Sequence, residues 1–120
     1  MKDIQLGEIE ARFADIIWSS EPISSTALVK VSEAELGWKT STTYTVLRRL
    51  CDKGIFQNEG GTVTSLISKE DYCAIQSERV VNDVFGGSLP AFLAAFSGRV
   101  KLKGETIEEL KRMIDEFKEE

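Results

Sequence analysis

The fold of this chain is decided by residues 38–54, WKTSTTYTVLRRLCDKG. The apolar positions of this segment recur at helical spacing, which predicts a helix with one buried stripe. The stripe consists of Thr43, Val46, Leu47 and Leu50. Gly54 is predicted to end the helix, because glycine commonly follows the last helical turn.

The other positions of this helix carry hydroxyl and guanidinium groups, which bind phosphates and base edges in nucleic-acid complexes. We therefore predict a DNA-contacting surface. Its residues are Lys39, Thr40, Ser41, Thr42, Tyr44, Thr45, Arg48 and Arg49.

Four of these residues have structural alternatives. Thr40 or Ser41 can serve as the N-cap of the helix. Arg48, the strongest candidate for a guanine or phosphate contact, can instead be a solvated arginine paired with Asp52 at i+4. Arg49 can be the ion-pair partner of an acidic residue in the first helix, such as Glu10.

The flanking patterns complete a winged helix-turn-helix. A first helix is predicted over 6–19, and Ile23 is predicted to form a short strand. A second helix is expected to begin after an N-cap at Ser24 and to end at Gly37. The alternating residues 55–67 predict a β-hairpin, the wing, which turns at a Gly-Gly pair. The predicted fold is mostly α with this small hairpin.

Three apolar helices follow, over 68–85, 89–96 and 105–118, with a loop over 97–104. We predict a winged-helix DNA-binding domain over residues 1–68 and a helical dimerisation region over 69–120, in which a second copy covers the apolar faces. The alternative is a cap that folds back within one chain. The predicted dimer interface consists of Leu89, Phe92, Leu93, Phe96, Leu110, Ile114 and Phe117.

Composition excludes several classes of protein. The chain has no histidine, which removes Ser-His-Asp and Cys-His catalysis and Cys-His zinc sites. No glycine-rich phosphate loop is present, so we predict a non-enzyme without cofactor or metal.

No apolar run approaches membrane length, which favours a cytoplasmic protein without membrane insertion. The formal net charge is −5, but residues 39–53 carry a local excess of positive charge.

The two cysteines belong to no CxxC pair. Cys51 is predicted to be a buried free thiol inside the third helix, and Cys73 lies near the start of the fourth. Nothing in the sequence supports a redox switch between them.

The chain resembles the penicillinase and methicillin-resistance repressor family, to which copper-responsive repressors are related. The resemblance covers nearly the whole sequence. It is carried by Leu6 to Trp18 with Glu10, by Pro22-Ile23-Ser24, by residues 38–54, by Phe85-Gly86-Gly87-Ser88-Leu89 with Leu93 and Phe96, and by Glu108-Glu109-Leu110.

This resemblance implies a homodimeric transcriptional repressor that binds a palindromic operator in double-stranded DNA and is released by an inducing signal. In the β-lactam branch of the family, a membrane-bound sensor metalloprotease triggers cleavage of an Asn-Phe bond in the dimerisation region. The matching pair here is Ala95-Phe96, the possible cleavage site, which keeps the Phe but not the Asn. The copper branch has a cysteine-rich C-terminus, which this chain lacks.

The wing departs from the family pattern. Relatives commonly carry a basic and an aromatic residue there, whereas residues 60–64, GGTVT, contain neither. We therefore expect weak phosphate contacts from the wing, unless Lys2, Lys39 or Lys69 compensates. The uncharged wing and the acidic net charge favour a competing hypothesis, in which the winged helix is a protein–protein interaction module that does not bind DNA.

Overall fold

The computed structural model describes residues 4–119. In that part of the chain, the elements are α1 (Glu8–Ser20), β1 (Ile23–Ser24), α2 (Ser25–Leu36), α3 (Thr40–Asp52), β2 (Phe56–Glu59), β3 (Thr62–Ser65), α4 (Lys69–Phe85), α5 (Leu89–Arg99) and α6 (Gly104–Glu116). The chain divides into two compact units, residues 1–76 and 77–120.

Short-range capping interactions determine where α2 begins and ends. The Ser24 side chain accepts a hydrogen bond from the Ala27 backbone N–H at 3.1 Å, which confirms the predicted N-cap. Gly37 ends the helix with a left-handed φ of 70°, a conformation that glycine adopts without steric cost.

The helix α3 begins at Thr40, and neither of the two candidate N-cap residues caps it. Its N-cap is Lys39, which makes no side-chain capping bond. Thr40 and Ser41 lie inside the first turn, so neither of them is the N-cap. The helix ends at Asp52, and the Lys53 backbone N–H bonds to the Arg49 carbonyl at 3.1 Å.

The three strands form an antiparallel sheet in the order β1-β3-β2. Ile23 lies opposite Val63, which confirms the predicted short strand. Gly60 and Gly61 both have positive φ, 59° and 89°, as a tight hairpin turn between two strands requires. The hairpin strands are shorter than predicted, and Ile55, although outside them, is fully buried in the core.

One hydrophobic core joins α1, α2, α3 and the sheet. The predicted stripe of α3 is buried in it, from Leu50 at 0% exposure to Val46 at 8%. The Glu21 carboxylate, just after α1, accepts hydrogen bonds from both the backbone N–H and the hydroxyl of Ser65, each at 2.8 Å. The wing is therefore attached to α1 as well as to α3. These elements confirm the predicted winged helix-turn-helix.

Ser32 of α2 is fully buried, and its hydroxyl has no hydrogen-bond partner among residues 4–119. An unpaired buried hydroxyl costs free energy because its hydration is lost without replacement.

We expect Ser32→Ala to leave the free energy of unfolding unchanged or to raise it by up to about 1 kcal/mol. Ser24→Ala on the same helix is the matched control, which should lower it by about 1 kcal/mol through loss of the N-cap. Urea unfolding followed by circular dichroism measures both; a clear loss of stability in Ser32→Ala would contradict this expectation.

The boundary between the two compact units lies at 76/77, within α4, and the predicted division at 68/69 into a DNA-binding domain and a dimerisation region stays a prediction. The first turns of α4 belong to the first unit because Tyr72 packs on its core. The ring centroids of Tyr72 and Trp18 are 5.5 Å apart, and the Tyr72 hydroxyl accepts a hydrogen bond from the Leu6 backbone N–H at 3.2 Å.

The second unit is helical, as predicted, but two of its bounds differ. The helix α5 continues to Arg99, so residues 97–99 are helical and not part of a loop. The hydroxyl of Ser97 donates to the Ala94 carbonyl at 3.2 Å, a bond that satisfies this side chain inside the helix. The helix α6 ends at Glu116, before the predicted end at Lys118.

Among the described residues, no single helix is both long and apolar enough to cross a membrane. The helices α4 and α5 meet the length and composition only as a pair, which is bent by 88°.

Candidate nucleic-acid interface

The helix α3 separates its residues into two faces, as its sequence predicts. The stripe of Thr43, Val46, Leu47 and Leu50 is buried, whereas all eight residues of the predicted DNA-contacting surface are exposed. The fold therefore offers a solvent-facing row of hydroxyl and cationic groups on a helix whose other side is held by the core.

The first turn of α3 is open to an anion. No side chain caps its backbone N–H groups, whereas the first turns of α2 and α5 are capped by Ser24 and Ser88. Uncapped N–H groups and the positive end of the helix dipole together favour a phosphate. Lys39, exposed at this end of the helix, adds a positive charge.

Two hydroxyls on this face are oriented by neighbouring atoms. The Thr45 hydroxyl donates to the Ser41 carbonyl at 2.9 Å. The Tyr44 hydroxyl donates to the Ser25 hydroxyl at 3.3 Å, while its side chain remains 39% exposed. Each hydroxyl keeps an oxygen lone pair, so both can accept a hydrogen bond from a donor on a base edge.

Arg48 lines a shallow depression of about 240 Å³ between α3 and the wing. The depression is lined by Tyr44, Leu47, Arg48, Cys51 and Asn58. No hydrogen bond or ion pair of the Arg48 guanidinium occurs within residues 4–119, so the alternative pairing with Asp52 is not formed. The guanidinium is therefore available to a ligand.

Asn58 is the residue of this surface that sequence reasoning missed. Its carboxamide oxygen accepts a hydrogen bond from the Gly61 backbone N–H at 3.1 Å, and its NH₂ group, which has no acceptor within residues 4–119, can donate to a ligand. Asn58 precedes the Gly-Gly turn and was therefore interpreted only as part of the hairpin. Its place beside Arg48 depends on how β2 packs against α3.

Arg49 forms the ion pair with Glu10 that was the structural alternative to a DNA contact. Its guanidinium lies 3.4 Å from the carboxylate of Glu10, and the two side chains are 54% and 19% exposed. The Lys53 ammonium lies 3.8 Å from the same carboxylate and donates to the Gln5 carbonyl at 2.9 Å. Part of the local positive charge of α3 is therefore neutralised by α1, and a contact between Arg49 and DNA stays a prediction.

The chain is similar to known proteins over nearly its whole length. The penicillinase repressor family model matches residues 6–116. The chain belongs to the penicillinase repressor family. It is 29% identical over 123 aligned residues to a penicillinase repressor of Bacillus licheniformis, with 98% of this chain and 96% of that protein covered.

A solved structure supports the same assignment. The Bacillus licheniformis BlaI monomer, in complex with the blaP half-operator, matches with a TM-score of 0.50 and 30% sequence identity. The match covers 60% of this chain and 94% of that chain. The winged-helix fold of this member of the penicillinase repressor family is therefore similar to that of a relative solved on DNA.

The wing of this family member offers no cation among its described residues. Asn58, Glu59, Gly60 and Thr62 are exposed at its tip, and Glu59 is acidic. Lys2, Lys39 and Lys69 were the candidates to supply the phosphate contacts that the wing lacks. The ammonium of Lys69 lies 2.9 Å from the Asp15 carboxylate.

The hydrogen bond and the charge of Asp15 raise the pKa of Lys69, so this ammonium is already paired with a carboxylate of the protein. Lys2 lies outside the described residues. Lys39 remains as an exposed cation for which residues 4–119 provide no ion-pair partner.

The two thiols of this chain are both free, and they differ in exposure. Cys51 is half-buried, less than predicted, and Cys73 is exposed. Burial, and secondarily the negative charge of Asp52, raises the pKa of Cys51. The thiolate is the reactive form, so Cys51 is less reactive than an exposed cysteine at neutral pH.

We expect iodoacetamide to modify Cys73 first under native conditions, with Cys51 reacting clearly more slowly. Because the pKa of Cys51 is raised, its reaction should accelerate only as the pH rises through the alkaline range. Mass spectrometry of timed samples measures both rates, and Cys73→Ser is the control that isolates the slow reaction. Faster labelling of Cys51 at neutral pH would overturn this assignment.

No group of three or more His, Cys, Asp or Glu side chains within residues 4–119 is arranged to hold a metal ion.

Proposed function

We propose that this chain is a DNA-binding transcriptional repressor that inserts α3 into the major groove of an operator. The observation that supports this proposal most strongly is the exposed row of α3, on a fold similar to one solved with a half-operator. The N-terminus of α3 has no side-chain cap, and the Arg48 guanidinium makes no hydrogen bond or ion pair within residues 4–119. In this arrangement the helix N-terminus and Lys39 bind phosphates, and Tyr44, Thr45 and Arg48 reach base edges.

The exposed apolar residues of the second unit support a homodimer. The helices α4, α5 and α6 contain no buried residue, and hydrophobic side chains of this size rarely remain in contact with water over a whole helical region. Those left exposed in this unit are Val80, Val84, Leu89, Leu93, Phe96, Val100, Ile107, Met113, Ile114 and Phe117.

A second copy would cover this surface and would duplicate α3 about a two-fold axis. The operator would then be a palindrome, with half-sites about one DNA turn, roughly 34 Å, apart. Since such a repressor acts on the chromosome, the proposal places it in the cytoplasm.

Two of the predicted interface residues also make contacts inside their own unit. The Phe92 ring lies edge-on to Phe85, with centroids 5.5 Å apart, and stacks against Phe96 at 6.2 Å. Phe92 therefore supports the surface from within, and Phe96, at 44% exposure, presents its ring to the outside.

We also propose that proteolysis releases the repressor from its operator. The Ala95-Phe96 bond lies inside α5, and both residues are exposed. A protease binds its substrate in an extended conformation, so cleavage requires local unfolding of α5. Because α5 has no buried residue, the free energy of this local unfolding is small. Cleavage would separate α6 from the rest of the interface. A membrane-bound sensor metalloprotease is the partner that this step would need.

Fluorescence anisotropy with labelled DNA from upstream of the chain's own gene tests the proposal. We expect saturable binding that an unlabelled copy of the same DNA displaces far better than scrambled DNA does. Equal competition by scrambled DNA, or no binding at 50 mM salt, would favour the protein–protein interaction module.

The wing offers no cation among its described residues, so we expect a low salt dependence of operator binding. Lys39 and Arg48 have no ion-pair partner within residues 4–119 of each copy. Lys39 alone gives a dimer about two neutralised phosphates and a slope of log K against log salt of about −2, and the slope reaches about −4 where Arg48 contacts phosphate instead of a base. A titration from 50 to 300 mM salt measures it. Replacing Thr62 of the wing with Lys should steepen the slope by about 2 for the dimer. A slope near −8 for the unmodified protein would show that other cations contact the backbone.

A further inference from the structure

The depression between α3 and the wing has an apolar floor. Leu47, at 2% exposure, and the half-buried Cys51 are the least exposed of its five lining residues, so an isobutyl group and a thiol form this floor. Tyr44, 39% exposed, adds an aromatic ring to the lining. Such a floor favours an apolar group, because that group releases the water that would otherwise cover it.

The rim of the depression carries two groups that donate hydrogen bonds and have no acceptor in the protein. The Arg48 guanidinium makes no hydrogen bond or ion pair within residues 4–119, and the other four lining residues are uncharged. The Asn58 NH₂ group also lacks an acceptor in that part of the chain. A guanidinium binds a carboxylate through two parallel hydrogen bonds, and an amide N–H can add a third.

The elements around the depression are held in place by the fold. Tyr44, Leu47, Arg48 and Cys51 follow one another at i, i+3, i+4 and i+7, so they lie along one side of α3. The Asn58 oxygen accepts a hydrogen bond from the Gly61 backbone N–H at 3.1 Å, which fixes the carboxamide at the hairpin turn. The apolar floor and the polar rim are therefore formed before any ligand arrives, as is usual for small-molecule sites.

We propose that this depression binds a small organic carboxylate with a flat apolar body, of the aromatic monocarboxylate class, and that this ligand and operator DNA exclude each other. The carboxylate contacts the rim, and the ring covers the floor. The exclusion rests on the proposed function, because it requires Arg48 and Tyr44 to contact DNA. The binding site itself does not.

The size and the lining of the depression select this class of ligand. Its volume of about 240 Å³ lies below the roughly 300–1,000 Å³ of sites for drug-sized ligands, so a nucleotide or a peptide would not be enclosed. Inorganic phosphate could meet the rim, but it would leave the apolar floor in contact with water. A neutral aromatic molecule would leave the guanidinium without a partner.

Alkylation of Cys51 by iodoacetamide tests the site without DNA. Because Cys51 lines the depression, saturating benzoate should lower its alkylation rate by at least about threefold. Cys73, which lies in α4 and outside the depression, is the internal reference and should react at an unchanged rate. Benzamide has the ring without the charge, and acetate has the charge without the ring. Each should protect Cys51 far less than benzoate at the same concentration.

Two variants test the rim, each compared with and without benzoate. Arg48→Ala removes the cation. Asn58→Asp keeps an oxygen for the Gly61 N–H but replaces the NH₂ donor with a negative charge. Each should abolish the protection of Cys51. Arg12→Ala, which removes an exposed arginine of α1, is the matched control and should retain it, and circular dichroism checks that every variant is folded.

Fluorescence anisotropy with the operator tests the exclusion. Benzoate at about ten times its own dissociation constant should weaken operator binding by at least about tenfold. Sodium chloride at the same ionic strength is the control, because salt alone also weakens a protein–DNA complex.

Unchanged alkylation of Cys51 in benzoate, or equal protection by benzamide, would overturn the carboxylate site. Protection of Cys51 without weaker operator binding would overturn the exclusion and leave the site standing. A chain that binds no operator DNA would overturn the proposed function, whereas the alkylation of Cys51 would still decide whether the site exists.

Discussion

Replacing Phe96 with Asp is expected to convert the protein into monomers. Phe96 lies in α5 with 44% of its surface exposed, and its ring stacks on Phe92 with centroids 6.2 Å apart. A carboxylate at this position would have to lose its hydration to enter an apolar dimer interface, which is strongly unfavourable. Light scattering at micromolar concentration measures the mass directly.

The same substitution should weaken operator binding by about 10²-fold or more, because a monomer loses the second half-site and the gain from linked binding. Ser97→Asp adds the same charge at the next residue of α5, outside the predicted interface, and should retain the dimer. Phe96→Asp is expected to stay folded in the first unit, which circular dichroism and urea unfolding can verify. A dimer of unchanged mass would remove Phe96 from the interface.

Replacing Arg48 with Ala is expected to cost about 1–3 kcal/mol of operator binding and to leave folding unchanged. The side chain is exposed and its guanidinium makes no hydrogen bond or ion pair within residues 4–119, so we expect its loss to act on the complex. Fluorescence anisotropy with the operator measures the affinity, and urea unfolding measures the stability.

Arg48→Lys separates the two contacts that the residue can make. A lysine keeps a charge for phosphate but cannot form the bidentate contact to guanine. Recovered affinity in Arg48→Lys would therefore assign a phosphate contact, and a continued loss would assign base readout. Arg12→Ala removes an exposed arginine from α1 and is the control for net charge. An Arg48→Ala protein that binds the operator as tightly as the unmodified protein would exclude Arg48 from the interface.

The third helix shows how far periodicity alone can predict a site. The stripe at helical spacing predicted which side of α3 is buried, because a helix in water has to bury its apolar face against a core. The exposed positions of Tyr44, Thr45 and Arg48 follow from the same spacing. The start of α2 was equally predictable from the sequence, since the Ser24 side chain accepts a hydrogen bond from the backbone N–H three positions later.

The sequence by itself therefore determined the helices, the wing and the face of α3 that meets solvent, because these depend on interactions between near neighbours in the chain. The tertiary structure decided which charged groups on that face remain available. Arg49 is bound by Glu10, which lies 39 residues earlier, and Asn58 lines the same depression as Arg48 only because β2 packs beside α3. Such pairings depend on the distances between elements in the folded chain, and no local pattern encodes those distances.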